Sequence, residues 1–423
     1  MNKIQLSTFI LSGICAMGVS SHVMAQPGNG IRIGEQTLLV PQLALSYNYN
    51  DNVAVRSRAL SEGDAPLDSN ESDTYYSYKA SLALTRVNDN RRLNLNGWYG
   101  QDAYQDYSDL DGETYGVGGA FNWTRPGAST TVEITGKYEH AVDRAGSDGL
   151  DLGTNPLQDV ENISDRVERD MTRAGLKVNQ DLINRLGGAF IFTYYDTAYV
   201  EEEYNDRTSY DYIVELNHQL SDKSQPYLRA GIGIDQDEGF EDDATKPFVL
   251  GGLRYTATEK LRFDFGVGYE TYTRTPIPAE GSESVELEDS GLKYTLNANY
   301  KATAKSSFRL SGRNGYDSIS NTNSSSRREN AVVLSYRHQT TRRVNQSLVF
   351  SWREDDYLSP ILVSGEEVDE VKETIRYQYA INYQTVRPWL SLFGNVSYED
   401  GNSNIPNDSY NETEVSLGAQ LRY

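Results

Sequence analysis

Apolar and polar residues alternate along almost the whole chain. Leu43, Leu45, Tyr47 and Tyr49 fall on one face of an extended segment, with Ala44, Ser46 and Asn48 on the other. A period of two is the signature of a β-strand with two different environments. The same stripe returns as Tyr76/Tyr78/Ala80/Leu82/Leu84 and as Leu93/Leu95/Gly97/Tyr99. It recurs at 115–123, 132–138, 174–178, 210–216, 228–234, 248–255, 261–269, 292–300, 308–310, 332–336, 348–352, 375–383, 390–398 and 415–423. Residues 190–199 are apolar on both faces, so their orientation is ambiguous. The pattern predicts about 18 strands, an even number expected for an antiparallel up-and-down barrel.

The connections alternate in length. Short ones are expected at 87–91, 124–130, 221–225, 257–260, 302–305, 340–343 and 386–388. Longer acidic stretches are expected between them, at 51–73, 143–165, 235–243, 275–288, 318–328, 354–370 and 400–411. Transmembrane barrels have short periplasmic turns and long extracellular loops. Tyr47, Tyr49, Tyr75, Tyr99, Tyr104, Tyr138, Tyr210, Tyr269, Tyr357 and Tyr398 stand at strand ends beside the long set and are expected to form an aromatic girdle there. Lys260, Lys305, Arg342 and Arg343 stand in the short turns.

The termini agree with a secreted barrel. Lys3, an apolar run over 4–19 and Ala25 before Gln26 predict a signal peptide over residues 1–25, with the barrel domain over 26–423. Ile14 before Cys15 excludes a lipoprotein context. At the other end Leu417, Leu421 and Tyr423 lie on one strand face, with the aromatic last. That ending resembles the C-terminal signal of outer-membrane proteins, so the barrel assembly machinery is an expected partner.

Mean hydropathy is −0.62, too low for transmembrane helices but expected for a barrel, where only alternate residues meet lipid. The 31 tyrosines suit a membrane interface, with an apolar ring and a wet hydroxyl. Cys15 is the only cysteine, so a processed chain has no disulfide, thiolate catalyst or cysteine zinc site. The net charge is −22, one unit more negative once Lys3 is lost, which excludes a nucleic-acid partner. The expected surroundings are outer-membrane lipid and lipopolysaccharide, and no cofactor is expected.

Strand parity sends one set of charges inward. Arg229, Arg262, Asp264, Lys293, Arg309, Arg337, Arg353, Arg376, Glu215 and Glu414 are the candidate pore-lining residues; unpaired charges there call for a hydrated lumen. Asp143, Asp148, Asp151, Asp159, Glu161 and Asp165 offer hard oxygen ligands, but their spacing matches no calcium site, so no metal is expected. His140, with Asp143 nearby, has no accompanying hydrolase motif, and no enzymatic activity is expected.

Pro41–Val53, reading Pro-Gln-Leu-Ala-Leu-Ser-Tyr-Asn-Tyr-Asn-Asp-Asn-Val, resembles the opening strand of a family of outer-membrane β-barrel porins, and Glu259–Glu270 resembles the repeated strands of that family. That resemblance implies a passive channel in the cell outer membrane, often serving exopolysaccharide or capsule export with partner export components. A general or nutrient-uptake porin, or a non-conducting surface-recognition barrel, are the alternatives.

Overall fold

The computed structural model describes residues 24–26, 30–53, 72–125, 129–143, 167–183, 185–200, 206–237, 241–276, 286–318, 326–358, 361–363, 366–405 and 409–423. In chain order the strands are β1 (Met24–Gln26), β2 (Gly30–Ile33), β3 (Thr37–Asn50), β4 (Asp73–Asn88), β5 (Arg91–Tyr104), β6 (Gly112–Thr124), β7 (Thr130–Asp143), β8 (Val167–Ile183), β9 (Leu186–Tyr199), β10 (Arg207–His218), β11 (Ser224–Asp237) and β12 (Glu241–Thr258). They continue as β13 (Leu261–Pro276), β14 (Leu287–Tyr300), β15 (Ser306–Ser318), β16 (Ser326–Gln339), β17 (Val344–Tyr357), β18 (Ile361–Val363), β19 (Glu366–Val368), β20 (Val371–Gln384), β21 (Leu390–Ser403) and β22 (Tyr410–Arg422).

Strands β3–β17 and β20–β22 pair antiparallel in sequence order, and β22 returns to β3 from Glu414↔Asn50 to Arg422↔Gln42. The sheet therefore closes as an 18-stranded barrel. Closure leaves no edge to solvate in hydrocarbon, the condition a membrane sheet must meet. Tyr423 seals the seam by donating its backbone N–H to the Pro41 carbonyl at 3.1 Å. Strand β2 pairs with the start of β3, β1 folds back on β2, and β18–β19 form a separate hairpin.

Burial is inverted relative to a soluble fold. Leu45, Val117, Val214, Leu228, Leu292 and Leu417 point outward and are 50–62 % exposed, whereas Glu215, Asp235, Arg327 and Asp355 point inward at 3 % or less. An apolar outside around a charged inside is stable only where lipid replaces water at the outer face. The ladder strands have 12 to 18 residues, more than the roughly 9–11 a tilted strand needs to cross a bilayer, so their ends project beyond it.

One end carries eight short connections between strands. Seven match the short connections expected from the sequence. The eighth joins β8 to β9 through Arg185, which adopts φ 72°; the strand after it is apolar on both faces, so its turn had no contrast in pattern. At the other end the expected long loop over 235–243 is absent, because β11 runs to Asp237 and β12 starts at Glu241. Alternating carboxylates there look like loop but are paired in the ladder Asp235↔Ala244.

The tyrosines split by face. Tyr47, Tyr49, Tyr269 and Tyr398 point outward at the long-loop end and are exposed. Tyr75, Tyr104 and Tyr357, expected in the same girdle, point into the barrel instead. Tyr75 neighbours the outward Tyr76 and so takes the opposite face; it stacks on Tyr104 with centroids 4.5 Å apart, and Tyr357 is 3 % exposed. A second outward aromatic row, Tyr255, Tyr300, Phe308, Tyr383 and Tyr423, borders the short-turn end. Two girdles at the strand ends are what two interfaces require.

Candidate functional site

The interior gathers charge, and it holds two ion-pair clusters with different placements. The first lies between β10 and β13. Glu215 accepts from Arg229 Nη2 at 2.8 Å and from Arg254 Nη1 and Nη2 at 2.8 and 2.7 Å. Arg254 Nε donates to Asp264 at 3.2 Å, and Asp264 also accepts from the Tyr227 hydroxyl at 2.8 Å. Both guanidinium groups lie over the Tyr227 ring, at 5.2 and 4.6 Å. Space for Tyr227 comes from Gly252, where a Cβ would collide with its ring. Bidentate geometry with ring stacking is specific to arginine, so this cluster fixes β10–β13 rather than offering free charge.

The second cluster is a consequence of a departure from the ladder. β13 and β14 pair up to Arg274↔Leu287, but β14 and β15 pair only from Tyr300↔Phe308 to Tyr294↔Asn314. Beyond Asn314, β15 leaves the wall and bends inward, carrying the ends of β16 and β17. Tyr316, on the outer face of β15, stacks on Tyr272, on the inner face of β13, at 5.4 Å and 14°. Glu270 of β13 accepts from the Tyr316 backbone N–H at 3.0 Å and pairs with Lys293. Arg274 donates to the Leu358 carbonyl at 2.6 Å and to Ser326 Oγ at 2.9 Å. Arg328, on the outer face of β16, lies against Gly291 on β14.

The flap so formed reaches across the lumen. Arg207 of β10 donates to Asp317 of β15 at 3.1 Å although four strands separate them in the sheet. At about 4.8 Å between neighbouring strands, that contact is a chord through the barrel, not a path along its wall. Asp235 meets Lys246 at 2.6 Å and Arg207 at 3.5 Å. Arg327, with no exposure, lies 3.7 Å from Asp317, 3.5 Å from Glu329 and 3.4 Å from Asp355. Arg313 donates to Glu329 at 2.6 Å, and Arg353 lies 3.0 Å from Asp355. This network narrows the long-loop end on the β10–β17 side.

All ten candidate pore-lining residues carry their side chains on the inner face, but they do not share one state. Glu215, Arg229 and Asp264 belong to the first cluster. Lys293 holds Glu270, Arg353 belongs to the second cluster, Arg376 lies 3.7 Å from Glu399, and Glu414 accepts from Tyr75 at 2.6 Å. Arg262, Arg309 and Arg337 are exposed to the lumen near the short turns. Arg254, Arg207, Lys246, Asp317, Arg327 and Asp355 are absent from the sequence-based set. Parity from Leu253 and Tyr255 would have placed Arg254 and Lys246 inside; Asp317, Arg327 and Asp355 fall at strand ends, where the pattern fades into expected loop.

Leu417, Leu421 and Tyr423 all point outward on β22. His140 contacts Asp170 at 2.9 Å and Glu168 at 3.4 Å and stacks on Tyr115 at the outer rim. Of the acidic set weighed for calcium, Asp148, Asp151, Asp159, Glu161 and Asp165 lie outside the described residues, as does the expected signal segment apart from Met24 and Ala25. No group of three or more potential ligands able to hold a metal occurs among the described residues.

Solved structures with a similar trace include OccAB4 from Acinetobacter baumannii (10 % identity, TM-score 0.44, covering 92 % of this chain and 99 % of that one). A BenF-like porin from Pseudomonas fluorescens Pf-5 gives 10 % identity and TM-score 0.46 over 91 % and 98 % of the two chains. The FrpB iron transporter from Neisseria meningitidis gives 9 % and 0.43 over 90 % and 81 %. No curated protein matches the sequence. A closed barrel with apolar residues outside and charge inside is the architecture of a porin, and residues 26–423 match the family described as "Putative beta-barrel porin 2", to which this chain belongs.

Proposed function

We propose that the protein is a passive diffusion channel of the outer membrane for small hydrophilic solutes. The observation that carries this reading is the polar, charged interior of an 18-stranded barrel whose outer face is apolar. A barrel of that size encloses more space than its own side chains fill. The flap narrows one side of the long-loop end, which favours small solutes over bulky ones. The outer face would meet lipid and lipopolysaccharide, and β22, with Leu417, Leu421 and Tyr423 on its outward face, would be read by the barrel assembly machinery.

A second reading, export of a polysaccharide, draws support from aromatic rings on the inner face. Trp98 lies under Lys79 and Lys137 at 5.7 and 5.5 Å, and Tyr195 under Arg173 at 4.9 Å. Such rings offer flat apolar faces beside hydrogen-bonding groups, the chemistry a sugar chain needs. Small-solute passage takes precedence because the flap contacts reduce clearance at one end.

Liposome swelling decides between conduction and none. Proteoliposomes in iso-osmotic arabinose should swell far faster than empty liposomes. Swelling no faster than the protein-free control contradicts the channel reading. Loss of secreted polymer on gene deletion, with arabinose entry intact, would move the assignment to export.

A further inference from the structure

Most lumen-facing cations described above are matched by a carboxylate; three that are not stand on neighbouring strands. Arg262, Arg309 and Arg337 are exposed on the inner face of β13, β15 and β16. Arg309 Nε donates to the Asn299 side chain at 3.1 Å. None of the three meets a carboxylate among the described residues. The nearest acid on their own face, Asp264, is engaged by Arg254 and Tyr227.

The ladder brings the three together. Arg262 pairs with Asn299, Asn299 with Arg309, and Arg309 with Ser335. Arg337 pairs with Ser307 on one side and Ser347 on the other. Four adjacent strands thus present three guanidinium groups set among amides and hydroxyls; at the usual strand spacing Arg309 lies about 8–10 Å from each of the other two, which are about 16 Å apart. Uncompensated like charges held this close repel one another, so an anion between them lowers the energy of the lumen. The chain as a whole is strongly acidic, so this patch is opposite in sign to the molecule that carries it. Planar guanidinium forks recognise oxyanions in two-point fashion.

We infer that Arg262, Arg309 and Arg337 form an oxyanion-binding station at the short-turn mouth and make the channel prefer solutes bearing carboxylate, phosphate or sulfate groups. This inference rests on the channel reading and names its substrate class.

The test is ion selectivity in a planar bilayer under a tenfold KCl gradient at low ionic strength, where the Debye length is about 10 Å or longer. Wild-type protein should show a reversal potential displaced toward the chloride equilibrium value. A unit charge about 10 Å from the ion path changes occupancy about twofold in water. The combined R262Q, R309Q and R337Q variant should therefore lower the chloride-to-potassium permeability ratio about five- to tenfold. Inorganic phosphate should reduce chloride current through the wild type and leave the triple variant unaffected. If the triple variant does not fold, R262Q and R337Q singly should each shift the ratio about twofold. Absence of any wild-type conductance overturns the channel reading itself. Conductance that prefers potassium, or whose selectivity and phosphate response are unmoved by the substitutions, overturns the oxyanion station alone.

Discussion

Replacing Arg327 with methionine should destabilise the barrel by about 3–5 kcal/mol, the range for removing one partner of a buried ion pair. Arg327 has no solvent exposure and lies within 3.4–3.7 Å of Asp317, Glu329 and Asp355. Methionine fills much of the same volume, so lost charge, not a cavity, dominates the effect. The three carboxylates would then repel one another without the central cation. The β14–β15 ladder that joins the flap to the wall is short, so the strain should release there first. The expected outcome is a lower midpoint of heat-dependent gel migration in detergent, together with larger single-channel conductance as the flap leaves the lumen. Unchanged conductance with lowered stability would show that the network braces the wall without narrowing the passage. Asp317→Asn, which weakens the chord to Arg207, should raise conductance with a smaller loss of stability.

The second large effect concerns the outer face. Phe265 stands midway along the outward stripe Leu261, Phe263, Phe265, Val267 and Tyr269 of β13 and is 46 % exposed. Phe265→Arg should cost about 2–4 kcal/mol, the penalty for arginine at the bilayer midplane on a barrel exterior. Asn297→Arg is the control. Asn297 lies on the inner face of β14, directly across from Asp264, so a cation there meets water and a carboxylate and should cost little. Refolding into lipid vesicles from urea reads both values. Equal penalties at the two positions would mean that inside and outside do not differ as solvents.

The strands were legible because their cause is local. Each stripe records two solvents at a spacing of two residues, and Leu43–Tyr49 or Leu261–Tyr269 needs no distant partner to be recognised. The inward orientation of Arg229, Arg262 and Arg376 followed from the same parity. What the pattern could not reveal depends on strands far apart in sequence. The inward bend after Asn314 follows from Tyr316 stacking on Tyr272 and from the Arg207–Asp317 chord, contacts that leave no periodic trace. Tyr75, Tyr104 and Tyr357 look like girdle residues because only their phase against Tyr76, Ala103 and Asp356 separates them from it. Whether a lumen charge is free or paired is also nonlocal: Arg254 silences Glu215 and Asp264 together, while Arg309, on a strand of similar composition, meets only an amide.

The central claim is that successive residues face lipid and water by turns around a closed sheet. Single cysteines placed at 262, 263, 264, 265, 267 and 269, in a chain with Cys15 replaced by serine, test it most directly. In vesicles, thiols at 263, 265, 267 and 269 should carry probes quenched by brominated lipid, and those at 262 and 264 should react with a water-soluble maleimide. Reactivity and quenching that lack this two-residue alternation would contradict the account.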